Sequence, residues 1–419
     1  MDGEVNVENG ASERVIRSYF GIAGLYNLAA SIIWGVNTLF LLDAGLSISQ
    51  VFLANAAFTI GNVLFEIPTG VVADTYGRRL SFLLSTVVLG ITTLAYVGAS
   101  HFNLGVVEFC IISVFIGLGF TFYSGAVEAW LVDALGQTGF KGSLDQVFAR
   151  GGMVSSGATL VGTTSGGLLG QLDLSIPFLV RSAALGVLFI LAYKTMKDLG
   201  FKKRSIKLAD TGRELRVIAK NSITYGWKQP TIRLLMLASA VQFGFMIWGF
   251  YAWQPYFLQL LESNDIWIAG VVAALVSLAM ILGNIFVDRV TRMCGSRSTL
   301  LLGAAALQTL GAVGVGLADN FYLALASLLV TASTFGIIMP VRQAFIHSLI
   351  PSEQRATVVS FDSMVGNLGG TGGQASLGYL AQQKSYSAGY IVGGLCTVLA
   401  IPLLVLVKKR NDGADNKDI

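Results

Sequence analysis

Four ionisable side chains lie inside long apolar stretches of this sequence: Glu66, Glu128, Arg150 and Asp362. A charge among apolar residues is expensive, so such groups are read first as places where chemistry happens. A carboxyl group there can take up and release a proton, its affinity tuned by burial and by a neighbouring cation. Glu66 stands in Phe65-Glu66-Ile67-Pro68-Thr69-Gly70, and Glu128 in Tyr123-Ser124-Gly125-Ala126-Val127-Glu128-Ala129-Trp130. One reading makes Glu128 or Glu66 a proton carrier partnered by Arg150, with Glu128 the better candidate. The other makes the three charges a static ion-pair network between helices. Asp362 is open between a proton site and a structural hydrogen bond. No nucleotide-phosphate loop or nucleophile elbow accompanies these groups, so an enzyme is not expected. The two histidines and three cysteines have no metal-ligand spacing, and neither a metal nor a cofactor is expected beyond a proton gradient.

The elements that must position these groups follow from composition. The chain has 419 residues, 54% hydrophobic and 12% charged, against about a quarter charged in soluble domains. The surplus apolar surface must face lipid. A hydrocarbon core about 30 Å thick needs roughly 20 apolar residues per helix. Such runs are predicted near residues 18–42, 48–73, 80–99, 104–132, 146–170, 175–196, 231–260, 266–288, 298–317, 321–346, 355–381 and 387–407. The fold class is therefore an all-α membrane protein of twelve spans.

With a cytoplasmic N-terminus, 26 of the 28 Lys and Arg residues fall on the inner side, as the positive-inside rule requires. The basic residues do not form an aromatic-interleaved patch, so nucleic acid is not an expected partner. Residues 1–17 carry no apolar signal-peptide core and read as a cytoplasmic tail. Residues 18–196 and 231–407 are two six-helix bundles. Between them, residues 197–230 form a basic loop in which 212–227 can make an amphipathic helix, and residues 408–419 are a second cytoplasmic tail. The bundles look like weak repeats, because spans five and eleven are both glycine-rich.

The most specific stretch is Gly70-Val71-Val72-Ala73-Asp74-Thr75-Tyr76-Gly77-Arg78-Arg79. Gly70 can admit a close helix, Gly77 permits a tight turn, and Asp74 can pair with Arg78 or cap a helix. The stretch resembles the signature loop between helices two and three of the major facilitator superfamily. That resemblance implies two pseudo-symmetric bundles and alternating access. It also implies a gating cluster in which Asp74 meets the start of helix eleven, near Ser352–Arg355, and an acid ending helix four, here Asp133. Thr75 departs from the arginine many members carry. Gly162-Thr163-Thr164-Ser165-Gly166-Gly167, followed by Gly170, is similar to the helix-five signature of the drug/proton antiporter branch. Thr163 replaces its proline, and Ala149 and Ala158 replace upstream glycines.

In that fold, helices one, four, seven and ten line the cavity. The residues that would face it are Tyr26, Asn27, Trp34 and Asn37 on span one and Gln242, Trp248, Tyr251, Trp253 and Gln254 on span seven. Aromatics and amides suit a moderately apolar organic solute, though Trp and Tyr also form interfacial belts. Arg342 and Gln343 could meet an anionic substrate or anchor span ten at the inner surface. The expected function is a secondary transporter, a proton-coupled efflux antiporter of small organic or multidrug type, acting as a monomer in a bacterial inner membrane. A nutrient uptake symporter or facilitator is the alternative, and a non-transporting receptor or scaffold comes from another class.

Overall fold

The computed structural model describes residues 2–201, 222–350, 355–410 and 415, and among them the chain is helical with no strand. Span one is α1 (Asp2–Ser31) continued by α2 (Asn37–Asp43), span two α3 (Ile48–Tyr76) and span three α4 (Arg78–His101). Span four is broken into α5 (Val106–Tyr123) and α6 (Ala126–Gln137), and spans five and six are α7 (Leu144–Leu172) and α8 (Ile176–Thr195). The second half repeats this order. Spans seven and eight are α9 (Pro230–Leu261) and α10 (Ile266–Ile285) with α11 (Val287–Cys294); spans nine, ten and eleven are α12 (Arg297–Leu317), α13 (Phe321–Leu349) and α14 (Arg355–Gln383). Span twelve is α15 (Tyr386–Thr397) with α16 (Ala400–Arg410). Each predicted span finds its helix within a few residues except at the start of span one, where the helix begins at Asp2 and runs through the segment read as a tail. The amphipathic helix predicted over 212–227 lies mostly outside the described residues, and its last part is a π-helical turn, Ser222–Trp227.

Local chemistry sets the helix ends. Ser143, Asn320 and Ser385 cap α7, α13 and α15 by accepting from backbone N–H groups three residues on, at 3.3, 2.9 and 3.1 Å. Pro177 and Pro230 sit in the first turn of their helices, where no N–H is needed. Gly125, at φ 70°, breaks span four just before Glu128.

By composition, nine helical segments among the described residues are apolar and long enough to cross a membrane. Spans one, five and eleven fall outside that group because Gly, Ser, Thr and Asn dilute them. Those residues are the packing surface. Gly162 and Gly166 of α7 lie on the carbonyls of Leu28 and Ile32, and Gly369 and Gly373 of α14 lie on those of Ala240 and Gly244. Large apolar side chains elsewhere face outward: Ile91, Ile111, Val161 and Leu310 are all exposed, as lipid contact demands.

Chain contacts define two compact units. One comprises Met1–Phe40, Gly61–Gly212 and Ile266–Val271; the other comprises Leu41–Ile60, Arg213–Asp265 and Val272–Ile419. In the first, Ile22, Phe82, Trp130, Leu131 and Leu188 form the core. In the second, Ile232, Met236, Ala305, Phe345 and Leu404 do so. The packing order repeats: span one on five, three on four and three on six in the first half, and seven on eleven, nine on ten and nine on twelve in the second.

Neighbouring glycines on α14 give a direct test. A Cβ on Gly373 would overlap the Gly244 backbone, whereas one on Gly372 meets nothing within 4 Å. Gly373→Ala is expected to destabilise the protein by about 1–3 kcal/mol, while Gly372→Ala leaves stability unchanged or slightly raised. Thermal unfolding of the two purified variants checks this.

Candidate functional site

The loop after α3 is held from its own half. Asp74 pairs with Arg78 at 2.7 Å, one turn on. Gly77 has φ 113°, and a side chain there would run into the Asp198 carboxylate. That carboxylate instead accepts from the Arg79 backbone N–H at 2.9 Å, capping α4 from beyond the end of α8. The Arg79 guanidinium donates to the Tyr193 carbonyl at 2.6 Å and lies 4.6 Å over the Tyr193 ring. Sequence reasoning does not reach Asp198 or Tyr193; the one signal for Asp198 is a lone acid inside the basic run Lys194–Lys203.

Two expectations for this loop change. Gly70 is exposed, and among the described residues a Cβ there meets nothing within 4 Å, so it serves no close helix contact. Asp133, half-buried in α6, makes no ion pair with the loop among the described residues; its backbone carbonyl packs on the left-handed turn at Gly200 instead. The start of helix eleven at Ser352 lies outside the described residues.

Glu128 occupies the first turn of α6, on the helical end created by the Gly125 break. A helix N-terminus at membrane depth offers backbone N–H groups and a positive dipole end to an anion. One carboxylate oxygen turns back to the residue's own backbone N–H, and Oε2 is buried with no hydrogen-bond partner. Three phenols, Tyr19, Tyr26 and Tyr123, are within electrostatic reach of it. Tyr26 and Tyr123 stack with centroids 3.6 Å apart and planes 7° from parallel, and the Tyr26 hydroxyl is also buried without a partner. The cation of this cluster is not Arg150, which is exposed and makes no ion pair with Glu128 among the described residues. It is Arg181 of α8, only 3% exposed, whose charge acts on the Tyr26 phenol. Arg150 sits on the open face of α7, so helical depth alone is a poor guide to its partner. Glu66 is half-buried and reaches the Ser124 hydroxyl, tying span two to the break in span four.

In the second unit, Arg342 and Asp362 meet. One guanidinium nitrogen lies 2.6 and 2.7 Å from the two carboxylate oxygens, and both side chains are 7% exposed. A guanidinium closed over a carboxylate in this way is a satisfied pair, which removes both charges from easy use by substrate or proton. Gln242 donates to Gln308 at 3.2 Å in the interior, while Gln343 is exposed. Trp248, Trp253 and Gln254 are fully buried: Trp248 packs on Tyr390 at 5.0 Å and Phe52 at 5.7 Å, and Trp253 on Phe257 at 5.9 Å. The cavity beside Phe245, Trp253 and Tyr390 has a volume of about 10 Å³, room for roughly one water. Both indole N–H groups are buried without a partner. Tyr251 is half-buried against Phe250. On span one, Asn27 donates along its own helix to the Ala23 carbonyl at 2.8 Å, and Trp34 and Asn37 are half-buried beside the α1–α2 break.

Three of the four helix-five glycines of the signature pack on other backbones, and Gly170 packs on side chains. Gly162 and Gly166 lie on α1, Gly167 on Gly270, and Gly170 near Val36 and Ile266. Among the described residues no group of His, Cys, Asp and Glu could hold a metal ion.

Known proteins share this architecture. The sequence model of the Major Facilitator Superfamily matches residues 19–307 and 267–418. An uncharacterised MFS-type transporter of Bacillus subtilis (strain 168), YxaM, is 22% identical over 94% of this chain and 96% of its own length. The hexuronate transporter of the same organism is 23% identical over 87% of each chain. The crystal structure of the nucleoside transporter NupG superposes with a TM-score of 0.77 over 94% of this chain and 99% of that one, at 10% identity.

The buried pair is testable by a double-mutant cycle. Arg342→Gln is expected to destabilise by about 3–5 kcal/mol, because it strands a buried carboxylate, and adding Asp362→Asn should recover much of that loss. Thermal unfolding of the two single variants and the double variant decides it.

Proposed function

The chain belongs to the Major Facilitator Superfamily, a family of membrane transporters, and from that premise we propose that it is a proton-coupled secondary transporter exporting a small organic or drug-like molecule. Glu128 carries the reading: a carboxylate with one buried, unpartnered oxygen, on a helix broken at Gly125. Such groups inside a membrane default to function, and broken helices at membrane depth support ion and substrate sites. A proton arriving from outside neutralises Glu128. That removes its pull on the dipole end of α6 and on the Tyr26–Tyr123 stack, and shifts the balance between the two alternating-access states. Solute leaves as the proton passes inward. The enzyme class is excluded by family, and a proton gradient is the proposed energy source. The lysine and arginine distribution supports cytoplasmic termini; a bacterial inner membrane and a monomeric state are part of the proposal.

Export is supported by Gly162, Gly166 and Gly167 of α7, each set against another helix's backbone, in keeping with the antiporter signature they resemble. Uptake is the second reading, favoured by the relative that is a hexuronate transporter. As a symporter it would share the proton step; as a facilitator it would move solute without one, the membrane acids being structural.

Proteoliposomes holding a pH-sensitive dye separate these. Purified protein is first screened by thermal shift against ethidium, glucuronate and uridine, and the stabilising solute is then used. Wild type and Arg150→Gln should both show solute-driven proton movement. Glu128→Gln should lose it by about 100-fold or more, in line with loss of an essential proton acceptor, yet keep solute counterflow. Proton movement by Glu128→Gln equal to wild type would end the proposal. Proton and solute moving in the same direction would replace export with uptake.

A further inference from the structure

At the end of the first unit that carries the Gly70–Arg79 loop, a groove of about 540 Å³ opens between the start of α1, the end of α6 and the turn after α8. Four cations line it: Arg14 and Arg17 from α1, Lys194 from the last turn of α8, and Lys197 just beyond. All four are exposed at the groove. Their neutralisation is slight. Arg17 shares Glu13 at 3.1 Å, an ion pair with side chains 80% and 64% exposed, worth little in water. Arg14 gives only its Nε–H, to the Gly10 carbonyl at 3.2 Å, leaving its terminal nitrogens to the groove. Neither lysine has an ion-pair partner among the described residues. The nearest acid in sequence, Asp198, is already engaged at the Arg79 N–H.

The floor is firm and neutral. The Trp130 indole, almost wholly buried, donates to the Lys197 carbonyl at 2.7 Å and fixes that segment. The Ser12 hydroxyl donates to the Thr138 hydroxyl at 2.9 Å, joining α1 to the end of α6.

Charge balance distinguishes this groove from the other large one. The second unit has a groove of similar size, about 500 Å³, between its loop joining spans eight and nine and the inner part of span ten, a different place in the bundle. There Asp288 stands with Arg292 and Arg297, and Arg292 is turned back onto the Asp288 carbonyl. That groove mixes its signs, whereas the one between α1, α6 and the turn after α8 gathers four cations around a concave surface with a hydroxyl and indole floor. Cations converging from separate segments at the level of lipid headgroups suit a phosphate ester. We propose that this groove binds a phosphate-ester anion, either the headgroup of an anionic phospholipid or a soluble phosphorylated solute, through Arg14, Arg17, Lys194 and Lys197. Occupancy ties α1, α6 and α8 together and stabilises the first unit.

The test uses full-length protein in neutral detergent, titrated separately with phosphatidylglycerol, phosphatidylcholine and inorganic phosphate while thermal unfolding is followed. Phosphatidylglycerol should raise the unfolding temperature and phosphatidylcholine should not. Lys194→Gln with Lys197→Gln should weaken the phosphatidylglycerol response about fivefold per cation removed, and Lys194→Arg with Lys197→Arg should restore it. Lys408→Gln with Lys409→Gln, on α16, serves as the charge-matched control and should leave the response intact. If millimolar inorganic phosphate reproduces the stabilisation and competes with the lipid, the soluble ester is the source and the site stands. The proposal is overturned if neither anion stabilises the wild type, if the double Gln variant responds like wild type, or if the α16 control weakens the response equally.

Discussion

Membrane helices gain nothing by hiding apolar surface from one another, since lipid is as apolar as their neighbours, so close contact between small residues must hold them. That constraint organises this chain. Gly162 and Gly166, four residues apart, rest on the carbonyls of Leu28 and Ile32, also four apart. Gly369 and Gly373 rest in the same way on those of Ala240 and Gly244. Gly283 and Gly336 complete the pattern on Ser333 and Met280. The i,i+4 spacing aligns two ridges, and the repetition of both spacing and partner helix makes the two halves versions of one bundle. It also explains why spans five and eleven look poorly hydrophobic: their glycines trade lipid affinity for helix contact.

Charges then go where that packing leaves room for compensation. Each half fastens the start of its third span with an aspartate from beyond its sixth. Asp198 accepts from the Arg79 N–H, and Asp415 accepts from the Ser298 N–H at 2.8 Å and its hydroxyl at 2.6 Å. A carboxylate at a helix N-terminus meets both unpaired donors and the dipole. The family-signature loop is thereby held to its own bundle through Asp198 and Tyr193, in addition to any role in gating.

Much of this is legible in the residues alone, and the boundary is physical. Span positions follow from the thickness of the bilayer, and Gly77 from a turn too short for a side chain. Asp74–Arg78 is a local i,i+4 pair, so spacing alone identifies it. Partners distant in sequence are not readable. Glu128 and Arg150 lie at similar depth, but depth does not specify which way a helix faces, and Arg150 is exposed while Arg181 is buried. Trp248 and Trp253 match the composition of a cavity wall and a packed core equally well; only their contacts with Tyr390, Phe52 and Phe257 distinguish the two. Asp198 escapes such a reading because nothing local marks a capping acid 119 residues from its helix.

The repeat also shows where the halves part company. In the register set by the glycines, Asp362 stands seven residues before Gly369, and the first half has Ser155 seven residues before Gly162. The acid of the second half therefore occupies a position where its counterpart is neutral, and it is closed off by Arg342. Its carboxylate and the guanidinium are each other's partner in the interior. Glu128 is on a different helix, at a break rather than along a continuous span, and its Oε2 has no partner to lose. Adding a proton there strands no cation. Of these two acids, the one beside the Gly125 break is the one with an oxygen unengaged among the described residues, which is the ground for placing the proposed proton step in the first half.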